Sequence, residues 1–224
     1  EIERALGFLP WISLSKKKLK SFYQNPKFHE AIGAAADYDL DAAIELFDGL
    51  LAENPDDFEF RIQRIFLESL TPDSVERVYK MMRDLSSEPT AENEPRFYDL
   101  MGTCLVARED VAGAKRSFLR AIELSSDKPA VQAECRNNFG WVLLQNGEFD
   151  SALEQFELAL KTFPKSVAFL LNKGHVLWRL GQAQKMNDVA DELLRVAPTH
   201  RGVFSILVSR EAAAREAKRT KRTP

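Results

Sequence analysis

The sequence predicts an all-α fold built from repeated helical hairpins. Three observations carry the prediction. A slide of 34 residues superposes Asn138 on Asn172, Gly140 on Gly174, Val142 on Val176, Leu143 on Leu177, Gly147 on Gly181, Leu160 on Leu194 and Pro164 on Pro198. A fixed period of this size, with Gly and Pro at matching offsets, marks a repeat array. Upstream, Gly102, Leu105, Ala114, Phe118 and Ala121 precede Gly140, Leu143, Ala152, Phe156 and Ala159 by 38 residues each. Further upstream again, Ala43, Ile44, Phe47, Leu50 and Leu51 fall on one face of a helix.

The central stretch, Asn137 to Pro164, gives each of these positions a physical reason. Gly140 lets two helices approach closely. Gly147 ends the first helix where a left-handed residue is needed. Ala152 and Ala159 are small because the partner helix lies against them, Phe156 fills the gap between them, and Pro164 stops the second helix. This stretch resembles the tetratricopeptide repeat. Phe139-Gly140 stands where that family has Leu-Gly, and Leu143 takes the place of its Tyr. Ala152, Phe156, Ala159 and Pro164 follow at the family's spacings. The resemblance implies a right-handed solenoid of about five hairpins with a C-terminal capping helix.

In order along the chain, residues 1–23 stand apart. Leu6 to Leu14 is apolar and broken by Pro10, and Lys16, Lys17, Lys18 and Lys20 follow. Two readings are open: a segment that covers the end of the array, or an apolar and basic segment suited to a lipid interface. The array is expected over 24–200, as repeats at 24–57, 58–94, 95–132, 133–166 and 167–200. In the first, a short Ala-rich helix spans about Pro26 to Ala36. In the second, Phe58, Ile62, Ile65 and Phe66 mark one helix, and Val75, Val78, Met82 and Leu85 the other. Thr71-Pro72-Asp73-Ser74 between them has turn and N-cap chemistry. The run from Ser86 to Pro95 is expected to be a polar loop.

The uniform 38-residue offset places four extra residues between Ala121 and Phe139. The first helix of the fourth repeat should therefore be about one turn longer than its neighbours. It should begin at Pro129 under a Ser126 or Asp127 cap. Residues 201–224 are expected to form the capping helix and a basic tail. That tail is read as solvated, with contact to an acidic lipid or RNA as the alternative.

Composition limits the function classes. The 224 residues are 45% hydrophobic and 29% charged, which is ordinary for a soluble protein. A net charge of -3 gives no overall bias toward nucleic acid, and none is expected as a partner. No apolar run approaches the roughly 20 residues that span a bilayer. The two cysteines, Cys104 and Cys135, are read as buried thiols of a reducing, cytoplasmic compartment. The chain opens on Glu1 without a Met and is read as a piece of a longer or processed product.

No catalytic constellation is apparent. His29, His175 and His200 are dispersed without a metal-ligand partner at i+3 or i+4. The glycines sit at repeat positions rather than in a phosphate loop, and the serines lack a nucleophile elbow. The expectation is a non-enzyme without cofactor or metal. The tetratricopeptide resemblance then implies which positions face a ligand on the concave side. They are Arg96, Asp99, Leu100, Thr103, Val106 and Ala107 in the third repeat, and Glu134, Asn137, Asn138, Trp141, Leu144 and Gln145 in the fourth. In the fifth they are Ala168, Leu171, Asn172, His175, Trp178 and Arg179.

Six of these are the candidate partner-binding residues: Asn138, Trp141, Asn172, His175, Trp178 and Arg179. Asn138 and Asn172 form a two-step amide ladder that either holds a peptide backbone or bonds within the array. Trp141, Trp178 and His175 make an aromatic patch beside Arg179, of the residue types favoured as interface anchors; packing in the core is the other reading for the tryptophans. The Lys/Asn/Arg set with which some family members clamp acidic chaperone tails is not matched, because Asp99, Thr103 and Ala168 stand where it needs other residues. The function expected is a protein–protein interaction scaffold that captures a peptide or partner helix. The alternatives are a membrane-associated assembly factor docked through residues 1–23, or the regulatory part of a larger enzyme.

Overall fold

A computed structural model of the chain describes residues 25–200 and 202–203. Both the 1–23 segment and nearly all of the expected capping helix and tail at 201–224 lie outside the described residues. Among the described residues the fold is all-helical, and it divides into two compact units between Asp127 and Lys128.

The first unit holds three hairpins. They are α1 (Pro26–Ala36) with α2 (Leu40–Glu53), α3 (Phe58–Ser69) with α4 (Val75–Leu85), and α6 (Pro95–Ala107) with α7 (Val111–Leu124). The run read as a polar loop contains one helical turn, α5 (Pro89–Glu92). Pro89 opens it with a preset φ, and Ala91 is fully buried against the second and third hairpins. The second unit holds α8 (Pro129–Gln145) with α9 (Phe149–Thr162), and α10 (Val167–Arg179) with α11 (Ala183–Val196).

Helix α8 has 17 residues where α6 and α10 have 13, so the four extra residues form one extra turn. It begins at Pro129 as expected, but the cap is Lys128 with no side-chain bond. Pro129 has no N–H to satisfy, which lessens the need for one.

Every hairpin turns on the same backbone device. The residue two before the second helix has positive φ in all five: Tyr38 (60°), Asp73 (53°), Glu109 (64°), Gly147 (80°) and Gly181 (67°). In four of them the next N–H donates back to the carbonyl five residues earlier. The pairs are Asp39 to Ala34 (2.9 Å), Asp110 to Leu105 (2.9 Å), Glu148 to Leu143 (2.9 Å) and Gln182 to Leu177 (3.0 Å). This 6→1 bond is the helix-ending motif that favours glycine. Only Gly147 and Gly181 meet that preference; Tyr38 and Glu109 hold the conformation with a Cβ.

The second helices supply the core through three positions each, at the fourth, eighth and eleventh residues. These are Ala43, Phe47 and Leu50; Val78, Met82 and Leu85; Ala114, Phe118 and Ala121; Ala152, Phe156 and Ala159; and Met186, Ala190 and Leu193. None is more than 3% exposed. The spacing keeps them on one stripe. The large side chain is Phe in three hairpins. In the last, Met and Ala have exchanged places, so the same stripe is filled from one turn earlier. Burying one such Phe contributes about 2–3 kcal/mol.

In the third and fourth hairpins the residue opposite the Phe is a glycine: a Cβ on Gly102 would lie 2.8 Å from Phe118 Cε2, and one on Gly140 would lie 2.8 Å from Phe156 Cε1. In the first hairpin three rings close the core: Phe28, Phe47 and Phe60 stand 6.1–6.3 Å apart, with Phe28 and Phe47 edge to face.

Candidate functional site

First helices carry the residues that the repeat pattern aims at a ligand, and the two units treat them differently. In the first unit half of them, Arg96, Asp99 and Leu100, are buried, while Thr103 and Ala107 are exposed. Arg96 on α6 donates two bonds of 2.8 Å to the two oxygens of Glu59 on α3. It also reaches Glu94 from Nε at 2.8 Å and from Nη2 at 3.1 Å. Gln63 Nε2 donates to Glu59 Oε1 at 2.9 Å. Burial pulls the Arg96 pKa down, but the Glu59 and Glu94 carboxylates outweigh it and the pKa is raised. Arg96, Asp99 and Leu100 are at most 5% exposed. These three expected ligand positions are therefore interior, because a bidentate ion pair fills the space between α3 and α6. Sequence reasoning missed Glu59 and Gln63 entirely.

In the second unit the corresponding face, on α8 and α10, is open. Trp141 on α8 is 41% exposed and Trp178 on α10 is 52% exposed, so neither is a core residue. Leu144, by contrast, is buried. The amides join across the two helices through a residue outside the expected pair: Asn172 Nδ2 donates to Asn137 Oδ1 at 2.8 Å, and Asn137 Nδ2 donates to Asn138 Oδ1 at 3.4 Å. The ladder is a chain of three amides bonded within the unit. It fixes the side-chain orientations and leaves one N–H and the oxygen of Asn172 without a protein partner among the described residues.

His175 lies half-buried one turn beyond Asn172, and burial lowers its pKa, so the imidazole is neutral near pH 7. Arg179 is exposed but not idle: its guanidinium stands 4.5 Å from the Phe149 ring centroid, stacked on the start of α9. Of the six expected residues, the structure joins Asn138 and Asn172 through Asn137. It sets His175 and Trp178 on the same helix as Asn172, and turns Arg179 to the rim.

A further group belongs to this face. Glu134 lies on α8 four residues before Asn138 and seven before Trp141, hence on one stripe with both. It is half-buried, and burial alone pushes its pKa up to about 7. Among the described residues it makes no hydrogen bond or ion pair. Two described cations on α8 and α10 pair elsewhere: Arg136 donates to Gln155 at 3.0 Å and Lys173 pairs with Glu157 at 2.9 Å.

Other chemistry is not assembled. Among the described residues no three His, Cys, Asp or Glu side chains stand close enough to hold a metal ion. Cys104 and Cys135 are buried and form no disulfide, and no described helix is long and apolar enough to cross a membrane.

Comparison with known proteins agrees with the fold. Residues 137–197 match the family model described as tetratricopeptide repeat. No curated protein sequence matches the chain significantly. Among solved structures, yeast Tom70 superposes with a TM-score of 0.66 at 17% identity, over 98% of this chain and 50% of that one. TTC0263, a tetratricopeptide protein of the thermophile Thermus thermophilus, gives 0.63 at 20% identity, over 82% of this chain and 95% of that one. YrrB, described as a tetratricopeptide protein with an unusual peptide-binding site, gives 0.53 at 19% identity, over 84% and 95%. Residues 137–197 are tetratricopeptide repeats, and the chain around them has the fold of tetratricopeptide repeat proteins.

Proposed function

We propose that the chain is a non-catalytic interaction scaffold whose second unit captures a peptide segment of another protein on the α8–α10 face. The observation that carries this is the pair of exposed tryptophans, Trp141 and Trp178, flanking an amide chain already locked in place. Large exposed aromatics on a rigid helical surface are costly to leave in water and are favoured interface anchors. Preformed amides lose little ordering entropy when a backbone docks on them. YrrB, which shares the fold, is described as having a peptide-binding site.

The test is selection of a random displayed-peptide library on the purified chain. A Trp141→Ala/Trp178→Ala double variant with unchanged helical circular dichroism is the control. Peptides enriched on the parent should bind the variant at least ten-fold more weakly. Equal binding to both would remove the face from consideration.

A further inference from the structure

The face described above carries a carboxyl, that of Glu134, with no hydrogen-bond or ion-pair partner among the described residues. Glu134 occupies the same stripe as Asn138 and Trp141, about 10 Å from Trp141 at 1.5 Å of rise per residue. Three described cations on α8 and α10 are already committed: Arg136 to Gln155, Lys173 to Glu157 and Arg179 to the Phe149 ring. A half-buried carboxyl without a partner is a destabilising arrangement, and a cation brought from outside would relieve it. We infer that the segment taken up by this face is basic: a Lys or Arg side chain of the partner seats against Glu134 while a neighbouring apolar residue lies over Trp141.

An extended chain advances about 3.3 Å per residue. The two anchors therefore fall about three residues apart in the bound segment. The locked Asn137–Asn138–Asn172 amides lie between them, beside the segment's backbone. Pairing with the cation returns the Glu134 proton to solvent and leaves a charged pair shielded by the ligand. This contact selects by charge, where the tryptophans select only for apolar bulk. The inference rests on the proposed peptide-binding role of the face and names the chemistry of what binds.

The experiment uses the full chain, a fluorescein-labelled peptide selected on it, and anisotropy titrations with the parent, Glu134→Gln, Glu134→Lys and Trp141→Ala/Trp178→Ala variants. The selected peptides should contain Lys or Arg about three residues from an aromatic or large aliphatic residue. Glu134→Gln should weaken binding about ten-fold. Replacing the peptide's Lys with norleucine should cost the same on the parent and nothing more on Glu134→Gln. Glu134→Lys should prefer an acidic peptide. Selection of neutral or acidic peptides, or unchanged affinity for Glu134→Gln, overturns the basic-ligand inference while the tryptophan variant still reports on the face. Loss in neither variant, or no peptide selected at all, overturns both. Circular dichroism of each variant separates loss of contact from loss of fold.

Discussion

Gly140→Ala tests the packing logic of the hairpins most directly. The new Cβ would stand 2.8 Å from Phe156 Cε1, 3.0 Å from Cδ1 and 3.1 Å from Cζ. Phe156 is fully buried between Ala152 and Ala159, so its ring has no free direction to move. The helices must separate by a few tenths of an ångström, and overpacking of this kind costs about 1–3 kcal/mol. Against that, Ala is favoured over Gly inside a helix by about 1 kcal/mol. The net expectation is a loss of about 1 kcal/mol, the midpoint of about 0–2, or roughly 4–8 °C in the melting of a unit of about 100 residues.

Gly49 in α2 is the internal control, because a Cβ there meets nothing within 4 Å. Gly49→Ala should gain up to about 1 kcal/mol from propensity alone. Thermal and urea denaturation followed at 222 nm measures both. The double variant Gly140→Ala/Phe156→Leu should recover part of the loss relative to Phe156→Leu alone, since the smaller side chain makes room. If Gly140→Ala is as stable as the parent, or gains as Gly49→Ala does, the close-approach argument fails.

Other expectations follow from single contacts. Arg96→Ala should cost about 3–5 kcal/mol, because it strands Glu59 at 3% exposure, and urea denaturation of the first unit reads it directly. Gln182→Asp should stabilise by about 1 kcal/mol in the same assay. Gln182 has the cap backbone of Asp39 and Asp110 (φ -83°, ψ 67° against -82°, 78° and -85°, 74°), whose carboxylates accept from the N–H three residues on. Its own Oε1 is buried without a partner.

Glu134→Gln should leave stability unchanged near pH 4. Burial raises the Glu134 pKa from 4.5 to about 7, so the parent's contribution is full below pH 4.5 and lost as pH rises through 7. At pH 8 the variant should therefore be the more stable by roughly 2–3 kcal/mol. A melting-temperature difference that does not grow with pH would refute it.

How much of this was legible in the sequence depended on whether the deciding residue type was distinctive. Gly140, Gly147, Phe156 and Pro164 each have one steric reason to be where they are, and they revealed the hairpins. The one-turn extension of α8 followed from counting alone. The turns at Tyr38 and Glu109 were hidden, because the left-handed backbone there carries the same local 6→1 bond with no glycine to announce it. The turn at 89–92 was hidden for a related reason: Ser, Glu and Pro dominate its composition, and the one buried residue is an alanine. The Arg96–Glu59 pair needs two charges 37 residues apart to face inward together, which periodicity does not encode. Asn137 lay beside the expected amide pair, but only the helix register shows that it bridges them.

The exchange of Met186 and Ala190 for Ala152 and Phe156 bears on how such a chain diversifies. In the third and fourth hairpins the second helix is cut to the first helix it folds against: the rings of Phe118 and Phe156 fit because Gly102 and Gly140 lie opposite. A recombination point between the helices of either of these hairpins could set the ring against a side chain where it now meets a glycine. A point in the links between hairpins, such as Phe163 to Ser166, keeps each matched pair whole. Whole hairpins of this kind can thus be duplicated, lost or shuffled more readily than their single helices, so the surface carried on a first helix is inherited together with the core that supports it.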